Sequence, residues 1–193
     1  VGMVSERDLG GAYLLRHPIQ DASPKPGAKR ARGLVGVEDV FDHCPDVRVY
    51  LVGGATAVLL GWRATTIDVD LVMRPEDDTL LRAIPQLKEA LQLNVELASP
   101  LDFIPVPPGW EDRGNFVAQT GRVGFFHFDL YAQALAKVER GHRQDLADVH
   151  QMISRGLIDR GHALEYFARV EPELYRFPAI DAPTFRRAVE EAF

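Results

Sequence analysis

With 193 residues, 46% of them hydrophobic, the chain is long enough for one domain with a full core, or for one domain carrying a helical appendage. A formal net charge of −6 argues against a protein that coats nucleic acid non-specifically, and the single cysteine, Cys44, excludes an intramolecular disulfide framework and favours a reducing compartment. No apolar run approaches the ~18 residues of a membrane span, and no charged segment followed by a signal-length apolar stretch opens the chain, so a cytoplasmic protein is the expectation.

In chain order, residues 1–33 carry Pro18, Pro24, Pro26 and Gly27 without sustained periodicity and read as a mobile arm. The basic cluster of Lys25, Lys29, Arg30 and Arg32 is either a solvated tail or an RNA contact. A core over 34–131 and a helical region over 132–193 follow. A short helix begins near Glu38 to Phe41, and Cys44 reads as a half-buried small apolar residue. Residues 47–52 (VRVYLV) predict a buried strand, Gly53-Gly54 a strand-to-helix turn, 55–62 a short buried helix, and 65–73 a second strand. Pro75 stands at a first helical position with Glu76, Asp77 and Asp78 as capping acids; Pro85 interrupts or restarts that helix, and Leu87, Leu91 and Leu93 supply its apolar side.

Residues 94–97 predict a short strand, more of an edge than a centre. The segment 99–114 is rich in Pro and Gly and too long for a hairpin turn. It either caps a site and stacks a base on Trp110, or is pinned to the core by its aromatics. A hairpin follows, 116–119 with 122–130 across Thr120-Gly121. From Tyr131 the pattern is helical: Ala134, Leu135 and Val138 form one stripe, Gly141 breaks it, and Leu146, Val149, Met152 and Ile153 form another. Two more helices are expected at 157–167 and 184–192, joined by an aromatic and proline-rich strap.

The chemistry concentrates in 51–72, LVGGATAVLLGWRATTIDVDLV. Side chains two apart on a strand share a face, so Asp68 and Asp70 can bind one pair of divalent cations while Ile67, Val69 and Leu71 turn into the core. Gly53 and Gly54 can admit a polyphosphate to the backbone at a helix N-terminus. Carboxylates repel a polyphosphate unless a cation lies between them, which implies Mg²⁺ or Mn²⁺.

This segment resembles the nucleotidyltransferase-fold superfamily, whose signature is a Gly-Gly or Gly-Ser turn, a short helix and Asp-x-Asp on the next strand. Its spacing, with Arg63 and Thr66 on the approach, is closest to AbiEii-type toxin nucleotidyltransferases, and residues 127–149 (HFDLYAQALAKVERGHRQDLADV) resemble the second block of that group and of a related uncharacterised family. The resemblance implies an α/β nucleotidyltransferase fold with a small mixed sheet and a C-terminal helical half. It also implies transfer of a nucleoside monophosphate from an NTP to a hydroxyl on tRNA or protein, and an antitoxin partner. Asp68 and Asp70 would hold the metal, with Asp129 as third carboxylate in preference to Glu96, and Lys137 would offset phosphate charge. Thr56, Arg63, Thr66, Asp145 and Asp148 would complete the nucleotide site, with Arg140 or Arg143 paired to one of the two helical aspartates. The usual small polar residue of the Gly-Ser turn is Gly54 here, so a hydroxyl contact must come from Thr56 or be absent. Two other readings stand beside this one: a catalytically silent nucleotide-binding or antitoxin-like module, and a metal-dependent hydrolase using His127, Asp129, His142, Asp145 and His150.

Overall fold

A computed structural model describes residues 4–5, 41, 45–91 and 93–193. The basic cluster of the N-terminal arm, the helix start at Glu38 and Cys44 lie outside the described residues. The fold is mixed α/β, built on a five-stranded sheet in the order β5-β4-β2-β7-β6. Its strands are β2 (Val47–Val52), β4 (Asp68–Arg74), β5 (Asn94–Leu97), β6 (Asn115–Thr120) and β7 (Val123–His127). β2 pairs antiparallel with β4 and parallel with β7, and β4 pairs parallel with β5. A separate pair joins β1 (Val4–Ser5) to β3 (Thr65–Thr66), so the N-terminal segment meets the core at that point.

The period-2 alternation of the strands divides the sheet into two apolar faces. Val47, Val49, Leu51, Val69, Met73 and Val123 face a layer containing Ala55 of α1 (Gly53–Leu59) and Leu80 of α2 (Asp78–Leu91). Tyr50 and Val72 face the other way, toward Ile104, Trp110 and Phe128 and the helical half. That half consists of α3 (Leu130–Arg140), α4 (Arg143–Ser154), α5 (Arg160–Val170) and α6 (Ala182–Ala192), packed through Leu135, Val149, Met152, Phe167, Phe185 and Val189. Among the described residues no helix is long and apolar enough to cross a membrane.

Several local expectations change. α2 begins at Asp78, three residues after Pro75, because the Asp77 carboxylate accepts from the Leu80 N–H at 2.9 Å and acts as the cap. Pro85 neither breaks nor restarts α2. It lies on the exposed side, where the carbonyl it orphans can take water. Ile67 precedes β4 and is 42% exposed, whereas Val69 and Leu71 face the apolar layer as expected. Gly141, at φ +67°, ends α3 in the left-handed conformation that glycine adopts without steric cost.

Candidate active site

Gly53 is the hinge of the site. It sits at φ +60°, and a Cβ there would lie 3.0 Å from Asp70 Oδ2, so glycine permits both the turn and the approach of the carboxylate. Its N–H donates to Gln133 Oε1 of α3 at 3.0 Å. Gly54 is glycine for a different reason: a Cβ would lie 2.4 Å from Thr66 Oγ1. The serine of a Gly-Ser turn has no room beside Thr66, whose hydroxyl closes the chain by donating to Asp68 O and accepting from Asp68 N.

Asp68 and Asp70 share the sheet face toward the helical half, and β5 brings a third carboxylate beside them. Asp68 is in register with Asn94 and Asp70 with Glu96. The Asn94 amide donates to Asp68 Oδ1 at 3.1 Å and to Glu96 Oε1 at 2.9 Å, tying the two acids into one row. Burial holds the Asp70 carboxyl above the usual carboxylate range, the negative charges of Glu96 and Asp68 push it further, and Arg140 and Lys137 pull the other way. Among the described residues, no three His, Cys, Asp or Glu side chains converge on one ion position.

Asp129 was expected as the third carboxylate and is placed elsewhere. It lies beyond the end of β7 as the cap of α3 and is 1% exposed. Oδ1 accepts from the Tyr131 and Ala132 N–H groups. Oδ2 accepts from Arg113 Nε at 2.6 Å and from the Tyr166 hydroxyl at 2.9 Å. Four donors fill its acceptor directions, so it is a structural anchor, and Glu96 occupies the place beside Asp70.

The helical block forms a charged chain. Lys137, with its side chain 7% exposed, donates to Asp145 Oδ1 at 3.1 Å and to Asp148 Oδ2 at 2.7 Å. Two of its three N–H donors are thereby engaged. Asp145 also takes the Nε–Nη2 edge of Arg140, which is the arginine that pairs here. Burial raises the Asp145 carboxyl, but the Arg140 hydrogen bond and the Lys137 charge outweigh it and hold it below its ordinary value. Asp148 receives Arg63 through Nε and Nη2 as well as the Trp62 indole N–H. Asp145, Asp148 and Arg63 therefore hold one another and Lys137.

An open cleft of about 140 Å³ lies where these parts meet. Gly53 and Asp70 form one wall, Ser99, Pro100 and Phe103 another, and Gln133, Lys137 and Arg140 the third. Arg140 and Gln133 line it although the sequence reading gave them no nucleotide role; the i,i+4 and i,i+7 spacing from Gln133 puts all three polar residues on one helix face. Thr56 does not reach the cleft. It is buried, donates to Leu51 O, and accepts from Gln133 Nε2. Because its one proton goes to Leu51, His127 at 3.2 Å must donate to it through Nδ1. Burial lowers the His127 pKa to about 4.

The five residues of the hydrolase reading scatter. His127 lies under α1, Asp129 binds Arg113 and Tyr166, and Asp145 binds Lys137 and Arg140, while His142 and His150 are exposed. Trp110 is 6% exposed, stacked on Phe128 with centroids 4.4 Å apart, so it pins the 99–114 segment to the core and offers no free face.

Residues 35–171 match the family described as nucleotidyltransferase of unknown function (DUF6036). The chain belongs to this family. The DUF6036 match spans both sequence blocks, from the strand before the glycine turn through the aspartates of α4 and on to the end of α5. Comparison with curated proteins and with solved structures gave no match.

Proposed function

We propose that this nucleotidyltransferase moves a nucleoside monophosphate from an NTP to a hydroxyl acceptor with the help of Mg²⁺ or Mn²⁺. The observation that carries the reading is the cleft in which Asp70, with Asp68 and Glu96 beside it, faces Lys137 and Arg140 across the Gly53 turn. The donor set is all carboxylate oxygen, the kind hard cations take, and a cation relieves the repulsion that raises Asp70. To hold it, Asp68, Asp70 and Glu96, which do not converge on one ion position as they stand, would draw together and release the Asn94 bridge. When bound, such a cation supplies charge neutralisation and Lewis-acid polarisation at phosphoryl oxygens.

The chain's own residues supply the rest. Gly53 leaves the turn bare so that phosphate oxygens can approach, and Gln133 fixes that turn against α3. Asp145 engages one edge of Arg140, orienting the guanidinium at the cleft wall to counter charge on the polyphosphate. Lys137 adds a point charge behind it. Glu96, at the exposed strand edge, takes the acceptor hydroxyl proton, a role Asp129 has no free oxygen to fill. The likeness of the motif spacing to AbiEii-type toxins extends the proposal to tRNA or protein as acceptor and to an antitoxin as partner.

Titration calorimetry with NTP and Mg²⁺ followed by product analysis tests this. Binding with release of pyrophosphate supports transfer, binding without turnover supports the silent module, and absence of both overturns the proposal.

A further inference from the structure

We propose that Phe103 is the face on which the nucleobase of the substrate stacks, an inference that rests on the nucleotidyl-transfer reading above. Phe103 is 51% exposed on the cleft wall. That exposure is imposed by a rigid turn. Pro100 and Ile104, on either side, are both buried. Between them the 3₁₀ turn Pro100–Asp102 is closed by a capping box in which Ser99 N and Oγ donate to Asp102 Oδ2. The Phe103 and Ile104 N–H groups both donate to Pro100 O, at 3.1 and 3.0 Å. A backbone fixed at both ends and through its middle holds the phenyl group out beside the cleft.

Size and polarity say which part of a nucleotide meets it. The cleft, at about 140 Å³, is smaller than the ~300–1,000 Å³ of pockets that enclose whole drug-sized ligands. Of its charged residues, Lys137 and Arg140 suit the polyphosphate, with Asp70 and Glu139 as the acids beside them, so the base lies outside the charged part and against the rim. Phe103 is the exposed aromatic among the cleft-lining residues, and the other candidate of the same segment, Trp110, has its face covered by Phe128. Stacking on a phenyl ring uses the π-face every base possesses, so it contributes affinity without reading sequence.

Calorimetry in Mg²⁺ with two probes, ATP and inorganic tripolyphosphate, tests the proposal. Phe103→Ala, an exposed substitution that leaves the core intact, weakens ATP binding roughly 5- to 150-fold and leaves tripolyphosphate binding unchanged. Phe103→Trp retains ATP affinity, and its new indole emission is quenched by ATP but not by tripolyphosphate. An ATP affinity unaltered by Phe103→Ala overturns the proposal, as does an equal loss for both probes. Wild-type protein that binds ATP and tripolyphosphate equally well removes the stacking contribution while leaving the phosphate site standing. Wild-type protein that binds neither removes the nucleotidyl-transfer reading itself.

Discussion

Asp70 carries an electrostatic cost in the site, and its sign is testable. Burial, then Glu96 and Asp68, hold its pKa above 3.8, so the native state binds this proton more tightly than the unfolded chain does. Stability then falls as pH rises through the window between 3.8 and the raised value, and the cost is fully present above that window. Asp70→Asn is therefore expected to be more stable than wild type at pH 7 in the absence of divalent cation, with the gain vanishing below the ordinary carboxylate range. Urea unfolding at pH 7 and pH 3, with and without Mg²⁺, measures both the gain and the loss of Mg²⁺-induced stabilisation. His127 works in the opposite sense. Its pKa is lowered from 6.5 to about 4, so the unfolded chain takes up a proton in that window and the native state does not. Its contribution is intact above 6.5 and is lost as pH falls toward 4, on the order of 3 kcal/mol. His127→Asn, compared with wild type across the same range, is expected to flatten that slope; parallel slopes would contradict the buried neutral imidazole.

At the scale of elements, the cap of α3 doubles as a lock. Asp129 joins α3 to Arg113 of the 99–114 segment and to Tyr166 of α5. Burial and the neighbouring Asp129 charge raise the Tyr166 hydroxyl, which keeps it protonated and donating. Asp129→Ala is expected to cost about 3–5 kcal/mol in urea unfolding, since it strands the Arg113 charge and removes the cap. Asp129→Asn, which keeps acceptor oxygen, retains nucleotide turnover; loss of turnover with unchanged stability would return Asp129 to the metal site. The glycine turn offers a second test. Gly54→Ala is expected to lower stability by roughly 1–3 kcal/mol through overpacking against Thr66. Adding Thr66→Ala recovers part of it, because the 2.4 Å contact with Oγ1 disappears while the 3.1 Å contact with Cβ remains. A double-mutant cycle with zero coupling would refute this account of Gly54.

The Asp-x-Asp strand and the glycine turn were legible because period-2 alternation and glycine punctuation are local signals. Asp129, which the resemblance offered as third carboxylate, stands instead as the cap of α3, and the acid in register with Asp70 is Glu96. The better signal lay in the order strand, helix, strand over 68–97. Such a crossover lays consecutive strands side by side and parallel, and Asn94-x-Glu96 repeats the spacing of Asp68-x-Asp70 on the same face. The roles of Trp110 and Thr56 were not legible, because burial of a loop aromatic or a helix hydroxyl depends on partners distant in sequence, Phe128 and Gln133.

For the molecule as a whole, one network of charges couples the segment after α1 to the helical half. Arg63 and Trp62, just after α1, bind Asp148 of α4, which binds Lys137 of α3, which binds Asp145, which binds Arg140 at the cleft. Three cations against two carboxylates leave the block net positive, facing the acidic row of Asp68, Asp70 and Glu96 in a chain whose overall charge is −6. A polyphosphate placed between them meets cations on one side and needs a metal on the other. On the proposed nucleotidyl transfer, the α-phosphate, not the γ-phosphate, is the group that reaches the acceptor. The direct measurement is label transfer to cell-extract RNA and protein from ATP, CTP, GTP and UTP, each carried in α-labelled and γ-labelled form, in Mg²⁺ and in Mn²⁺. The account predicts that α-label from at least one nucleotide enters the acceptor with wild-type protein and not with Asp70→Asn. It is contradicted by incorporation of γ-label alone, by α-label incorporation that survives Asp70→Asn, or by no incorporation from any of the four.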